Sequence, residues 1–295
     1  MKKIESISYD ETLNNFNLSG KIHSSFNRTF NILTESDYFF TVAVNSVFDG
    51  PNMLKIKESN FEGMIFERGM MVKQVDEGLV IADKVWIDLS KAETYQIKPL
   101  VFPNKPNTEN SNTFLGIEKY LSEQLDTVGF FRKTYQNTLE KEQHDRLLAC
   151  KNALNTAVKE ENKKLLEKEV IQLIGYGNGL TPSGDDFLTG LLLVANSVNY
   201  PFVTLRNSLN ETVSRNLKRT NDISQHQLFH GIEGIALEPI MTFLRELYQE
   251  EIDNIQLENS LNQVISIGSS SGSDMLAGIL FGLEVTFQKI IDREN

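Results

Sequence analysis

Residues 174–190, IGYGNGLTPSGDDFLTG, place three glycines at alternate positions, a Thr-Pro-Ser-Gly turn and two adjacent aspartates directly ahead of an apolar run. Glycine-rich turns that open helices hold anions, because the first N–H groups of a helix lack acceptors and carry the positive end of its dipole. Asp185 and Asp186 stand where such an anion would sit. Like charges at about 4 Å repel by several kcal/mol at an effective dielectric near 20, so a bare phosphate needs an intermediary. A divalent cation such as Mg²⁺, held by Asp185 and Asp186, would bridge carboxylates to phosphate oxygens. Alternatively, an aspartate accepts from an N–H of an amide or urea-like substrate while the turn holds that substrate's carboxylate or phosphate. Asp185 and Asp186 are the catalytic candidates. Gly177, Asn178, Gly179, Leu180, Thr181, Ser183 and Gly184 are candidate substrate contacts.

The motif has an echo. Ser183-Gly184-Asp185-Asp186-Phe187-Leu188-Thr189-Gly190 aligns with Ser271-Gly272-Ser273-Asp274-Met275-Leu276-Ala277-Gly278, 88 residues later. Both copies follow a glycine-containing turn and open an apolar helix, which makes Ser271 and Gly272 further candidate contacts. Gly190 and Gly278 recur one turn in, although an interior glycine costs about 1 kcal/mol relative to alanine. Matched glycines point to two buried helices crossing there, which brings both N-termini to one region. Capping is the plainer explanation for part of the motif: Ser183 with Asp186, and Ser271 with Asp274, have capping-box spacing. That leaves Asp185, Thr181 and the surplus glycines, which close approach of a ligand to the backbone would explain.

Other chemistry-bearing residues are sparser. Thr220 and Ser224 either contact substrate or cap a helix starting near Ile223. Arg28, beside His23, Ser24 and Ser25, is the basic residue best placed to meet an anion. His226 and His230 have the i, i+4 spacing of metal ligands but lack the glutamate and third ligand of a zinc-protease site.

The elements that must position these residues change character near residue 105. Between Gly20 and Leu100 lie short β-rich runs, RTFNILT, YFFTVAV, MLKIK, MMVKQV, GLVIA and TYQIKPL, which predict a small antiparallel sheet or barrel. VFPNKPNTENSNT (101–113) reads as a linker, and beyond it the periodicity is helical. The expected fold class is α+β: a β-rich N-terminal domain over 1–105 and a mainly helical C-terminal domain over 106–295 that carries the turn. The run KEENKKLLEKE (159–169) reads as a solvated helix face.

A chain of 295 residues, 40% hydrophobic, is long enough for such cores. Its formal net charge of -11 argues against nucleic acid or an anionic membrane as partner. One cysteine excludes an intramolecular disulfide and a Cys-rich zinc site. The N-terminus lacks the apolar core of a signal peptide, and no apolar run reaches membrane-spanning length; a soluble, cytoplasmic protein is expected.

GYGNGLTPSGDDFLTGLL resembles the signature of the AllH family, whose best-described member is a subunit of oxamate carbamoyltransferase. HSSFNRTFNIL, the DGP turn at 49–51 and RTNDISQHQLFHGIEG (219–234) are similar in outline. The resemblance implies phosphorolysis of oxalurate to oxamate and carbamoyl phosphate in allantoin nitrogen catabolism, carried out with other carbamoyltransferase subunits. The alternatives are a non-catalytic partner subunit and a Mg²⁺-dependent hydrolase of a phosphate ligand.

Overall fold

Short strands that bury mostly apolar residues, often two or three in succession, shape the first part of the chain. The computed structural model describes residues 1–103, 108–125 and 129–294, without the side chains of 108–112 and 294. The chain divides into two compact units, Met1–Ile97 and Lys98–Asn295.

In the first unit, strands β1 (Lys2–Asp10), β2 (Gly20–Ser25), β3 (Thr29–Thr34), β4 (Phe39–Ala43), β5 (Met53–Ile56), β6 (Met71–Val75), β7 (Gly78–Ile81), β8 (Val85–Asp88) and β9 (Glu93–Tyr95) form one sheet in the order β5-β4-β3-β2-β6-β7-β8-β1-β9. An additional β1–β5 pairing closes eight of them into a barrel. Phe30, Ile32, Phe40, Val42, Leu54, Ile56, Leu79 and Ile87 fill its interior and are wholly excluded from solvent. Register shifts in β1 between Ser6 and Ser8, and in β2 between Ile22 and Ser24, are bulges of the kind that bend strands towards closure. The α+β class is as expected. The barrel is not purely antiparallel, because β1–β8, β1–β9 and β4–β5 run parallel. TYQIKPL is strand only at its start, as the end of β9, whereas β1, β2 and β8 were not among the expected runs.

The second unit is helical: α1 (Thr108–Gln124), α2 (Thr138–Lys159), α3 (Lys163–Leu173), α4 (Ser183–Ala195), α5 (Val203–Asn216), α6 (Asp222–Ile232), α7 (Glu238–Leu247), α8 (Asn254–Ile265) and α9 (Ser271–Glu294). The stretch expected as a linker is anchored where it is described. Val101 bridges to Val198, and Phe102, 2% exposed, packs edge-on against Tyr200 and Tyr248. Its residues 104–107 lie outside the described residues, as does the end of FLGIEKYLSEQLDTV at 126–128. The charged run is split between α2 and α3 at Glu161, whose φ is +52°, and Asn162 caps α3 by accepting from Leu165 N–H at 3.1 Å.

α4 is the centre of this unit, buried from Gly184 to Ala195. It crosses α9 at the matched glycines. A Cβ on Gly190 would stand 2.1 Å from the Met275 carbonyl oxygen, and one on Gly278 would stand 2.0 Å from that of Phe187. The reciprocal contact explains why both positions forgo a side chain.

Candidate functional site

The α4–α9 crossing places both helix starts side by side. α4 begins after Pro182 with no side-chain cap, so the expected Ser183–Asp186 capping box does not form. The Ser183 hydroxyl instead favours the ionised Asp274 carboxyl, and the Ser271 hydroxyl does the same for Asp186. Each serine thus lies towards the aspartate of the other copy, but no hydrogen bond between them closes among the described residues, and the Ser271 hydroxyl is 2.7 Å from that of Thr181. Capping spacing is local, whereas these approaches depend on the helix crossing, which is why the local reading fails.

Three aspartates are excluded from solvent here, in different circumstances. Asp185 is fully engaged: Oδ1 accepts from Gly175 N–H at 2.7 Å and Oδ2 from the Thr220 hydroxyl at 2.6 Å. Burial raises its pKa, and the bonds from Thr220 and Gly175 oppose that rise. Asp186 accepts from Gln227 Nε2 at 2.7 Å through Oδ1, while Oδ2 has no hydrogen-bond partner. Asp274 accepts from Phe130 N–H at 2.8 Å through Oδ1, and its Oδ2 is likewise unpartnered. Burial pushes Asp186 well above the ordinary carboxylate range, with repulsion from Asp274 adding to the shift. Burial also pushes Asp274 up to about 6, against the pull of Phe130 N–H, Ser183, Ser270 and the Arg132 charge.

The glycine turn crosses the mouth of this arrangement. Gly175, Gly177 and Gly179 have φ of +74°, +127° and +91°. Backbone crowding accounts for more of the glycines than the sequence suggested. A Cβ on Gly175 would meet Arg219 O at 2.7 Å, one on Gly177 would meet Ser183 N at 2.6 Å, and one on Gly184 would meet Leu173 O at 2.1 Å. Gly179 alone of the turn glycines looks onto open space. The backbone N–H groups of Gly177, Asn178, Gly179, Leu180 and Thr181 donate to no protein acceptor among the described residues. Leu180 contributes its carbonyl, which accepts from Asn221 Nδ2 at 2.9 Å and the Ser224 hydroxyl at 3.2 Å, and the Thr181 and Ser271 hydroxyls lie 2.7 Å apart.

A cavity of about 300 Å³ lies against the turn, lined by Gly177, Asn178, Gly179 and Ser183 together with Arg132, Gln143, His144, Tyr176, Ser269 and Ser270. The last six were not singled out from sequence. Only the serine run before the second copy carried a signal, since Arg132 and His144 sit in unremarkable charged stretches. Arg132 forms an ion pair with Glu140. His144 is buried; its Nε2 is 3.2 Å from the Phe130 carbonyl, which can only accept, so this nitrogen carries a hydrogen, and Nδ1 is 2.8 Å from Tyr135 Oη. The backbone of Phe130 therefore lies between His144 and Asp274, its carbonyl accepting from one and its N–H donating to the other.

The remaining candidates are placed as follows. Asn221, not Thr220 or Ser224, caps α6, accepting from Ile223 and Ser224 N–H at 3.1 and 3.2 Å. Gly272 is a packing position, where a Cβ would stand 1.8 Å from Val264 O. Arg28 belongs to the first unit, exposed in the β2–β3 turn, and does not line this cavity. His230 Nδ1 pairs with Glu233 at 3.1 Å. Among the described residues no group of three or more His, Cys, Asp or Glu is arranged to hold a metal ion, and both Asp185 oxygens are taken by protein donors. The residues present do not fit a Mg²⁺ centre at Asp185 and Asp186. Among the described residues no helix is long and apolar enough to cross a membrane.

An eight-stranded barrel followed by a helical unit, with two serine–aspartate helix starts crossed beneath a glycine turn, defines a class of two-unit protein with one internally duplicated site motif. The model of the oxamate carbamoyltransferase subunit AllH matches residues 173–283, and that of the AllH family N-terminal domain matches residues 5–94. The chain belongs to the AllH family, a family of carbamoyltransferase subunits. No solved structure matches it.

Proposed function

We propose that this chain supplies the anion-holding part of a carbamoyltransferase centre that phosphorolyses oxalurate to oxamate and carbamoyl phosphate, working with other subunits in allantoin and purine nitrogen catabolism. In that reaction a phosphate oxygen attacks the ureido carbonyl carbon. The bond from that carbon to the oxamyl nitrogen breaks, and the nitrogen takes a proton as oxamate departs. Phosphate, the oxamate carboxylate and the developing oxyanion all need donors. The observation that carries the reading is the set of unengaged N–H groups of Gly177, Asn178 and Gly179 on a cavity that is also lined by Arg132. Asn178, Ser183, Gln143, Ser269 and Ser270 add polar groups to the wall, which also holds Glu140, the ion-pair partner of Arg132.

The aspartates take roles that follow from their surroundings. Asp185 is a positioning residue, holding the start of the turn through Gly175 and bracing it against Thr220. Asp186 and Asp274 lie too deep to meet a phosphate, and burial, which favours the protonated form of Asp186, lessens the repulsion that it would otherwise exert. Orientation of the attacking and leaving groups can then supply much of the rate enhancement.

A second reading rests on the glycines. Because Gly175, Gly177 and Gly184 are required by backbone crowding, the turn can be a rigid helix entry in a non-catalytic partner subunit. Oxalurate phosphorolysis, assayed on the purified chain alone and with its partner subunits, separates the two. The catalytic reading expects Arg132→Met and Asn178→Ala to lower kcat/KM of the assembled enzyme, the former by about 100-fold, with assembly intact. Unchanged kinetics in both variants would leave only the scaffold.

A further inference from the structure

At the end of α9 remote from the glycine turn, the helical unit holds a second cavity, of about 390 Å³. Asp274 and Arg293 are separated along α9 by roughly 30 Å of helix at 1.5 Å per residue, so this cavity is distinct from the turn. Val158 of α2, Leu166 of α3 and Phe202 and Leu205 at the start of α5 form its apolar walls. Its size lies within the range of small-molecule sites, about 300–1,000 Å³.

The polar groups around it favour an anion. Lys163, Lys289 and Arg293 border it against one carboxylate, Glu161, in a chain whose formal net charge is -11. Lys289 Nζ is 2.5 Å from Glu161, and Lys163 is 3.5 Å from Glu211 and 3.7 Å from Glu167. Arg293 makes no ion pair among the described residues and lies with its guanidinium 4.6 Å from the centre of the Phe202 ring. α5, 14 residues long, starts after Phe202 without a side-chain cap, and Val203, Thr204 and Leu205, which supply its first N–H groups, line the cavity. A separate observation points to a ligand. Ser208, one turn further along α5, is only 6% exposed and lines the same cavity, yet its hydroxyl makes no hydrogen bond among the described residues. The Ser208 hydroxyl is not sealed off from solvent but opens into the cavity, where it is free to donate to a ligand oxygen.

We propose that this cavity binds a phosphate monoester with an apolar body, of the size of a nucleoside monophosphate. The phosphate meets the N-terminus of α5, Ser208 and Arg293, and the body lies against Val158 and Leu166. The site owes nothing to carbamoyl transfer and stands whether or not the glycine turn is catalytic.

Isothermal titration of the full chain with adenosine 5′-monophosphate, adenosine and inorganic phosphate tests it. The expected result is saturable 1:1 binding of the monophosphate, tighter than that of either adenosine or inorganic phosphate. Arg293→Gln, at an exposed position, is expected to weaken it about tenfold, and Ser208→Ala about fivefold, while Arg132→Met at the glycine turn leaves it unchanged. Absence of saturable monophosphate binding would overturn the proposal. So would adenosine or inorganic phosphate binding as tightly as the monophosphate, or binding lost in Arg132→Met but kept in Arg293→Gln. Thermal melts of each variant confirm that the fold is intact.

Discussion

At the residue scale, Asp186 and Asp274 are the costly groups, each excluded from solvent with one oxygen lacking a donor. In the unfolded chain an aspartate titrates near 3.8, whereas folded Asp274 holds its proton up to about 6. Between those values the native state binds more protons than the unfolded state, so stability falls as pH rises through the window and levels off above it. The shift corresponds to about 3 kcal/mol. Asp274→Asn keeps the acceptor for Phe130 N–H and removes the buried charge. Melting temperatures from pH 4 to pH 8 are expected to fall with pH in the parent and to stay flatter in the variant, which should be the more stable at pH 8. Parallel curves for the two proteins would contradict this account. Asp185 behaves oppositely, because both of its oxygens are used: Thr220→Val removes one bond and is expected to cost about 1 kcal/mol, and Asp185→Ala, which strands two donors, about 2–3 kcal/mol. Urea denaturation of the pair measures the difference. From sequence, the turn and its aspartates were legible as a unit, since glycine spacing and the repeated Ser-Gly-x-Asp pattern are local features. Which group each side chain faces was not, because Ser183 lies towards Asp274 only after two helices 88 residues apart have crossed.

At the element scale, the α4–α9 crossing is the feature that the site depends on. Gly190→Ala or Gly278→Ala drives a methyl to 2.1 or 2.0 Å from a carbonyl oxygen that belongs to the facing helix backbone. No side-chain rotation relieves such a contact, so each substitution is expected to cost about 3 kcal/mol or force the helices apart. Gly179→Ala is the comparison: nothing lies within 4 Å, but φ is +91°, so only backbone strain of about 1–2 kcal/mol is expected. Chemical denaturation in which Gly179→Ala proved as damaging as Gly190→Ala would contradict the crossing as the source of the constraint. This crossing was legible because it leaves a glycine in each copy of a detectable repeat. The barrel was legible only in part. β3 to β7 announce themselves as β-branched and aromatic runs, whereas β1, KKIESISYD, buries Ile4, between Lys3 and Glu5, and the polar Ser6, leaves Ile7 exposed, and resembles a surface segment until β5 and β8 pair with it.

At the scale of the whole molecule, the barrel's own closure has a consequence for the chain's independence. The β1–β5 pairing leaves β1, at the very start of the unit, hydrogen-bonded on both sides, to β5 and to β8. The core cluster built from Ile4, Leu13, Ile22, Phe30, Phe40, Leu54, Leu79 and Ile87 lies wholly within Met1–Ile97. A unit of this length with its own core and few open strand edges has what a domain needs to fold alone. The two units are therefore proposed to be separate folding domains, and a fragment covering Met1–Ile97 is expected to show a β-type circular dichroism spectrum and a single cooperative urea transition. The full chain should then unfold with a component matching that transition in midpoint and slope. Deleting residues 1–5, which carry the β1 half paired with β8, should abolish the transition in the fragment, because an opened barrel exposes both its core and two strand edges. A fragment that unfolds without cooperativity, or one indifferent to loss of those five residues, would show that the barrel draws its stability from the rest of the chain.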